Sequence, residues 1–148
     1  MSMIEVLVAI LILVVGIFGV AAMQATALRS SQSAMESSQA VVQAYAIMDR
    51  MRADRADARI GFFDLGHFGS DLGGSGTTDW TCALPADGGG MAVHERFEWM
   101  TNVQADLGPA SCVVINCNDL NCDVGVRWDD SRATGGSNAR IFATRSRL

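Results

Sequence analysis

The sequence predicts an α+β fold, in which one long N-terminal helix packs on a small antiparallel sheet together with a second, short helix. Three observations predict it. An apolar run at the N terminus continues into sequence with helical periodicity, and residues 91–107 repeat apolar side chains at helical spacing. Beyond them, residues 111–116, 122–129 and 139–146 have the composition and alternation of strands. A chain of 148 residues has room for one small domain beside such a helix.

The predicted N-terminal helix begins with an apolar segment that is long enough to cross a membrane. Residues 6–23 carry no charge, and at about 1.5 Å per residue they extend over roughly 27 Å, close to the ~30 Å hydrocarbon core of a bilayer. Glu5 stands directly before this run, and Arg29 is the next charged residue. An ionised side chain costs on the order of 2.5–3.5 kcal/mol at the bilayer centre and less toward the interface. Glu5 therefore needs a partner, for which a free α-amine is the nearest candidate.

Helical sequence continues past the apolar run, and we expect one helix from about residue 2 to about residue 59. Gly61 is its natural stop, because glycine adopts the left-handed conformation that ends helices. The second half of this helix has one apolar stripe to lay on a domain. The predicted stripe consists of Val41, Ala44, Tyr45, Met48 and Met51 at helical spacing, and Leu28, Met35 and Val42 form a second series spaced by seven.

Residues 61–80 form a glycine-rich connector, in which glycines are interleaved with phenylalanines and leucines. The glycines disfavour a long helix, and the aromatic rings disfavour free disorder. We therefore expect an irregular loop that its phenylalanines hold in place. The chain then divides into residues 1–28, the transmembrane half of the helix, residues 29–60, its amphipathic half, and residues 61–148, a C-terminal globular domain.

Four cysteines all lie in the predicted globular domain, namely Cys82, Cys112, Cys117 and Cys122. An even number in a small exported domain favours disulfides, which add about 2–4 kcal/mol each in an oxidising compartment. Zinc sites usually contain pairs of closely spaced cysteines, and this spacing is a poor match. Of the three possible pairings we favour Cys117–Cys122, which flank a turn, with Cys82–Cys112, which ties the loop to the sheet.

No group of residues in the sequence points to catalysis. His94 begins a pattern like that of a metalloprotease helix, but Glu98 stands where the second imidazole is needed. Asp119 and Asp123 are weak calcium candidates, since their spacing is not that of a calcium-binding loop with a terminal glutamate. We therefore expect no enzyme activity, no metal and no cofactor.

The charge of the chain argues against nucleic acid as a partner. Acidic residues number 16 against 11 basic ones, which gives a formal net charge of −5, whereas phosphate contacts need a basic surface. Five arginines gather near the C terminus, and we interpret them as a solvated strand edge. They are Arg127, Arg132, Arg140, Arg145 and Arg147.

The N terminus resembles that of a known family. Residues 2–9 (SMIEVLVA) and the apolar run that follows resemble the amino terminus of mature type IV pilin-like proteins. In that family a prepilin peptidase cuts a short basic leader after a glycine, methylates the new amine and leaves a glutamate at the fifth mature position. The resemblance implies that Met1 is the first residue of the mature chain, with the leader removed, and that Glu5 serves in assembly.

The order of elements in the second half resembles the minor pilins of the PilV kind. It comprises a Trp-bearing second helix, a valine-rich hairpin that ends in Trp-Asp, and an arginine-rich final strand. This implies a type IV pilin fold and a structural subunit of the pilus tip or priming complex, which promotes pilus assembly, twitching motility and adhesion.

The resemblance also implies partners and a location. The partners are other minor pilins and the major pilin, through the N-terminal helix, and a tip adhesin. We expect the protein in the bacterial inner membrane, as a single-pass protein with a periplasmic domain, and then in the pilus at the cell surface. Residues 1–28 would there form part of the filament core.

Two other functions stay open. Minor pseudopilins of type II secretion systems share the N-terminal half of the pilin pattern. A membrane-anchored periplasmic enzyme or binding module is a different class, which uses the helix only as a tether. A tether has no use for an acid beside its apolar run, whereas a polymer places a neighbour's amine beside each Glu5 and satisfies both groups. The sequence therefore favours a filament subunit, and its length, cysteines and tryptophans favour the pilus.

Overall fold

Helices and strands follow one another in the order that the sequence predicts. The computed structural model describes residues 2–74, 76–133 and 135–148. Its long N-terminal helix, second helix and small antiparallel sheet confirm the predicted α+β arrangement. The elements are α1 (Met3–Ala53), α2 (Arg55–Arg59), a 3-10 turn (Ser70–Leu72), α3 (Met91–Leu107), β1 (Cys112–Asn118), β2 (Asn121–Trp128) and β3 (Arg140–Arg147). We call residues 54–148 the head.

The first helix ends earlier than predicted, because Asp54 interrupts it. Asp54 leaves the helical conformation with φ −122° and ψ 71°, and its carboxylate accepts a hydrogen bond from the backbone N–H of Asp57 at 3.3 Å. Aspartate is a good N-cap because its side chain satisfies an orphan donor of the next helix. The single helix expected up to residue 59 is therefore two helices, α1 and the short α2. Gly61 follows with φ 80°, the left-handed conformation expected at a stop.

The three strands form one antiparallel sheet in the order β1-β2-β3. A tight turn joins β1 to β2, and Asp119 in this turn has φ 56°, a conformation that aspartate tolerates better than most residues. The register places Cys117 directly opposite Cys122. Val124, Val126 and Trp128 share one buried face, as their alternation predicts.

The core lies between this face of the sheet, α3 and the second half of α1. The helix stripe differs from the prediction, since Tyr45 is 49% exposed, and the series spaced by seven (Leu28, Met35 and Val42) is exposed as well. In α3, Trp99 is fully buried and donates its indole N–H to the carbonyl of Gln43 at 2.8 Å. The indole ring thus lies beside the backbone of α1. The buried residues of α1 are Ala40, Ala44, Ile47, Met48 and Met51.

The glycine-rich loop runs beside β1, and its last residue, Trp80, covers part of the other face of the sheet. Single bridges join Leu65 to Ile115 and Thr81 to Val113, so the loop runs along the edge of β1. Trp80 lies over Gly125 of β2, where an added Cβ would stand 3.3 Å from the indole ring and 2.8 Å from Val114. At this point β1 and β2 are covered on both faces, whereas β3 alternates between exposed and partly buried side chains. Phe63 and Phe68 of the loop are buried, whereas Phe62 is exposed.

Candidate functional site

The first half of α1 lies apart from the rest of the molecule. Every residue from 2 to 32 is exposed, and we call residues 3–28 the apolar segment. The most apolar window of α1 has a mean hydropathy of 3.1 and none of it is buried. Within the described residues, α1 is the one helix that is long and apolar enough to cross a membrane, on grounds of length and composition.

Glu5 lies in the first turn of α1, at the end of the apolar segment. Its carboxylate accepts a hydrogen bond from the backbone N–H of Ser2 at 3.4 Å. Acids in the first turn of a helix interact favourably with the helix dipole, typically by about 0.3–1 kcal/mol. The expected partner of Glu5 is an α-amine, and Met1 lies outside the described residues, so this pairing stays a prediction.

All four cysteines form disulfides. Cys82 is joined to Cys112 with an S–S distance of 2.12 Å, and Cys117 to Cys122 with 2.03 Å. This is the pairing favoured from the sequence. The first bridge ties the loop that precedes α3 to the start of β1, and the second closes the hairpin. Since none of the four is free, they are not available as thiolate ligands for zinc.

The two calcium candidates are each engaged by an arginine. Arg59 donates to Asp119 at 2.8 Å, and Arg145 donates through Nη2 to Asp123 at 2.9 Å. A calcium ion would have to displace these guanidinium groups, because it needs several oxygen ligands around it. Within the described residues, no cluster of three or more His, Cys, Asp or Glu side chains is placed to hold a metal ion.

The C-terminal arginines are mostly spread over separate contacts. Arg127 lies over the ring of Trp80, with Cζ 5.0 Å from its centroid. Arg132 lies 3.8 Å from Glu36 of α1, Arg140 contacts Asp130, and Arg145 contacts Asp123. Four of the five arginines thus contact an acidic side chain or an aromatic ring. This arrangement differs from the continuous basic surface that nucleic-acid binding needs.

A polar cleft lies where α1 passes from the exposed to the buried half. Asp130 is only 3% exposed there, and it accepts hydrogen bonds from the Ser33 hydroxyl at 2.8 Å and from Arg140 at 2.6 Å. These bonds join residues 29–39 of α1, which we call the neck, to the residues that follow β2. The cleft has a volume of about 490 Å³ and is lined by Arg29, Gln32, Ser33, Glu36, Asp130, Ser131, Arg132 and Ala133.

This cleft has no arrangement for nucleophilic catalysis within the described residues. Activation of a serine requires a base that can take its proton, and the carboxylate beside Ser33 is already held by Arg140. The histidines are placed elsewhere, His67 in the loop and His94 on α3. The Ser33–Asp130 contact therefore holds the neck. Sequence reasoning missed it, because the two residues are 97 positions apart and no local pattern marks them.

His94 lies at the start of α3 among acids. Its Nδ1 is 2.9 Å from Asp87 and its Nε2 is 3.5 Å from Glu98. The hydrogen bond to Asp87 and the negative charges of Asp87, Glu98 and Glu95 raise the pKa of His94 above its ordinary value. This ion-pair group connects the glycine-rich stretch before α3 to the helix.

Two acids of the head have shifted pKa values for structural reasons. Burial raises the pKa of Asp64, and the backbone N–H of Cys117, which donates to it at 2.9 Å, lowers it by a smaller amount. Hydrogen bonds from Ser131 lower the pKa of Asp129. Asp64 anchors the glycine-rich loop to β1, and Asp129 orders the turn after β2. Both groups thus act in local structure.

Comparisons of the chain with models of protein families, with curated proteins and with solved structures find no match. Function therefore has to be inferred from the apolar segment, Glu5 and the head. Of these, the apolar segment has the most to gain from a partner, because its large side chains are exposed and burying one of them contributes about 1.5–3 kcal/mol.

Proposed function

We propose that this protein is a minor type IV pilin, a membrane-anchored subunit that joins the tip or priming complex of a pilus through its N-terminal helix. One observation carries the proposal. The head buries the second half of α1, whereas no part of the described chain covers the apolar segment in the first half of the same helix. The proposed fold is the type IV pilin fold, of which the long helix, the small antiparallel sheet and the second helix are the coarse features.

The apolar segment needs two surroundings in succession. Before assembly, the hydrocarbon core of the inner membrane covers it, since its length matches that core. After assembly, the same side chains pack against the helices of neighbouring subunits. Leu11, Val15 and Phe18 are between 64% and 72% exposed, so large side chains are available for both.

Glu5 favours a polymer over a simple tether. Its hydrogen bond to Ser2 is long, at 3.4 Å, and within the described residues no cation pairs with the carboxylate. In a filament, the α-amine of the neighbouring subunit supplies that cation in an apolar environment, where an ion pair with good geometry is worth more than in water. A tether requires no such partner.

Gly16 and Gly19 fit the same proposal. Each lowers helix stability by about 0.8–1 kcal/mol relative to alanine, and an added Cβ at either position would meet nothing within 4 Å. Packing within the chain therefore does not require these glycines. Close approach of neighbouring helices, or local loss of helix in the filament, gives them a role.

The head fits a protein that works through its contacts. Two disulfides stabilise it, and its polar clusters hold structure together instead of exposing a nucleophile beside a base. We propose that the head binds other minor pilins, the major pilin and a tip adhesin, first in the periplasm and then at the pilus tip. On this proposal the protein has no catalytic role, and it supports twitching motility and adhesion through pilus assembly.

The substitution Glu5→Ala tests the proposal. We expect the variant to stay in the membrane with an intact head, but to be lost from sheared filaments. Glu5→Gln keeps the hydrogen bond to Ser2 and removes the charge, so it should fail in the same way if the charge is what assembly needs. Asp49→Ala is the matched control, because Asp49 is a 72% exposed acid on the same helix. Immunoblots of membrane and sheared fractions give the result, and normal incorporation of Glu5→Ala contradicts the proposal.

Deletion of the gene distinguishes the pilus from the secretion system. A priming subunit lowers the barrier to nucleation, so its loss should reduce the number of surface filaments and leave the major subunit stable in the membrane. Filaments are counted by electron microscopy with retraction active and with retraction disabled. Wild-type numbers in both backgrounds, together with lost export of secreted enzymes, would instead assign the protein to the minor pseudopilins.

A further inference from the structure

The two disulfides of the head have different neighbours. Arg127 lies directly opposite Cys112 in the register of β1 and β2. Its Nη2 is 3.2 Å from the sulfur of Cys112 and 3.6 Å from the sulfur of Cys82. Trp80 supports the guanidinium from one face, with Cζ 5.0 Å from the ring centroid. A permanent positive charge is therefore held beside this S–S bond.

The two cysteines of this bridge also differ in exposure. Cys82 lies in the loop and is exposed, whereas Cys112 at the start of β1 is only 3% exposed. Thiol–disulfide exchange begins with attack of a thiolate on one sulfur, and the other sulfur leaves as a thiolate. Access favours attack at Cys82, and Cys112 is then the leaving group next to Arg127.

We propose that the Cys82–Cys112 bridge is a thiol-exchange site, at which the thiolate of a small-molecule thiol attacks the Cys82 sulfur. A new S–S bond forms between the incoming sulfur and Cys82, and the Cys82–Cys112 bond breaks. Its electron pair goes to Cys112, which leaves as a thiolate beside the guanidinium of Arg127. The thiol is the only co-reactant, and the reverse attack by Cys112 restores the bridge and releases the thiol.

The charge of Arg127 assists the step because it stabilises the leaving thiolate. Cationic groups lower the pKa of a neighbouring thiol, and a leaving thiol with a lower pKa departs faster. Burial of Cys112 acts in the opposite direction, since desolvation disfavours the thiolate. The 3.2 Å contact with Arg127 is what offsets this desolvation.

The second bridge provides an internal comparison. Cys122 is fully buried, Cys117 is partly buried, and the neighbour of the Cys117 sulfur is the uncharged thioether of Met51 at 3.8 Å. The two cysteines also face one another across a tight hairpin, which holds their sulfurs together. We therefore expect exchange at Cys82–Cys112 to be faster than at Cys117–Cys122.

Exchange at Cys82 leaves other contacts of the loop in place. Thr81 and Val113 are joined by two backbone hydrogen bonds of 2.9 Å, and Gln104 of α3 donates to the carbonyl of Cys82 at 3.0 Å. The loop that contains Cys82 therefore stays beside β1 while the Cys82–Cys112 disulfide is open. The adduct thus forms on a folded head, with Cys112 close enough to reverse it.

The test is a time course with glutathione on the full chain in detergent micelles. Samples are quenched with acid, alkylated and analysed by peptide mass spectrometry. We expect a glutathionyl group on Cys82 and an alkyl group on Cys112 while Cys117–Cys122 remains intact. Equal opening of both bridges, or glutathione mainly on Cys112, would overturn the proposal.

Variants of Arg127 test the part played by its charge. Arg127→Gln should slow opening of the Cys82–Cys112 bridge on the order of three- to tenfold, and Arg127→Lys should retain most of the wild-type rate. Arg145→Gln is the control, because it removes a guanidinium of the same sheet that pairs with Asp123. A rate for Arg127→Gln equal to or above wild type would show that the charge does not assist the step.

A second measurement does not depend on the exchange rate. In Cys82→Ser the thiol of Cys112 is free, and the pH dependence of its alkylation reports its pKa. We expect a pKa below the ordinary value of about 8.5 for a free cysteine, and a higher pKa when Arg127→Gln is added. A Cys112 pKa at or above that ordinary value, or one unchanged by Arg127→Gln, would overturn the assignment of Arg127.

Discussion

The two halves of α1 show opposite relations between hydrophobicity and burial. The first half contains the most apolar sequence of the chain, with a mean hydropathy of 3.1, and none of it is buried. The second half is mixed in composition, yet Ala40, Ala44 and Met48 are fully buried there. Burial depends on a surface that complements the helix, and the head provides one only for the second half. The described residues cover none of the first half, and on the proposed function the membrane and then the filament cover it.

The boundary between the halves coincides with the polar cleft. Residues 2–32 are exposed, and Ser33 is the first residue of α1 that is partly covered. Its hydroxyl bonds to Asp130, which Arg140 also holds. The head thus begins to hold the helix where its sequence changes from apolar to polar, and a bilayer surface would lie just before that point.

The largest expected effect on stability comes from the side chain of α3 that packs on the second half of α1, compared with a side chain of the first half. Trp99→Ala removes the ring that packs on the second half and donates to Gln43, so it should lower the free energy of unfolding of the head by about 3–5 kcal/mol. Phe18→Ala removes a side chain that is 72% exposed and should change it by less than about 0.5 kcal/mol. Denaturant unfolding in detergent, followed by circular dichroism, measures both.

In the filament assay we expect the opposite order, with the larger effect from the variant in the apolar segment. Phe18→Ala should reduce incorporation into sheared filaments, because it removes packing area from the apolar segment, although the head is as stable as wild type. If Phe18→Ala destabilises the head by more than 1–2 kcal/mol, the first half has a partner within the chain and the comparison fails.

Local signals in the sequence predicted the elements that depend on few neighbours. The bounds of α3 follow from Gly90 and Gly108, which flank it with φ of 145° and 99°, conformations that side chains rarely adopt. The sequence predicts the end of α1 too late, because Asp54 lies among the alternating charges of residues 49–57, which are typical of an exposed helix face. Its capping role depends on its own backbone angles, which the sequence does not contain.

Contacts between distant residues were beyond sequence reasoning. Helical spacing predicts Tyr45 on the buried face of α1, whereas the face that α1 turns to the head buries Ala40 and leaves Tyr45 49% exposed. Nothing in the sequence links Ser33 to Asp130 either, because the two residues are 97 positions apart. The cysteine pairing can be predicted from the sequence, because one pair flanks a short turn and the remaining two cysteines then can only pair with each other.

An intermediate effect is expected at the boundary itself. Asp130→Ala leaves the Ser33 hydroxyl and the Arg140 guanidinium without their shared acceptor, at a site where the carboxylate is 3% exposed. We expect a loss of about 1–3 kcal/mol in the free energy of unfolding of the head. It should also make residues 29–39 more sensitive to proteolysis, because the neck is no longer held.

Asp129→Ala is the matched control for this variant. Asp129 is the neighbouring acid, it is exposed, and its hydrogen bond to Ser131 stays within one turn. Its loss should cost less than that of Asp130 and should leave the neck protected. Equal sensitivity of the two variants to proteolysis would mean that Asp130 does not hold α1 to the head.

The smallest expected effect is a pH dependence in the stability of the head, which the apolar segment does not share. The partner of the second half, α3, begins with His94 beside Asp87 and Glu98, and these acids with Glu95 raise the pKa of His94. A raised pKa means that the folded head holds the proton more tightly than the unfolded chain. The stabilisation is thus complete below the unfolded pKa of about 6.5 and is lost as pH rises through the folded pKa.

The unfolding midpoint of the head should therefore fall slightly as pH rises above about 6.5, and His94→Gln should remove this slope. The effect is small because the imidazole is exposed and solvent screens its ion pairs. An NMR titration of the imidazole measures the cause directly: Asp87→Asn should lower the pKa of His94, since it removes the largest contribution to the shift. Membrane retention through the apolar segment should not change over this range. A His94 pKa that is unaffected by Asp87→Asn would show that the 2.9 Å contact does not control its charge.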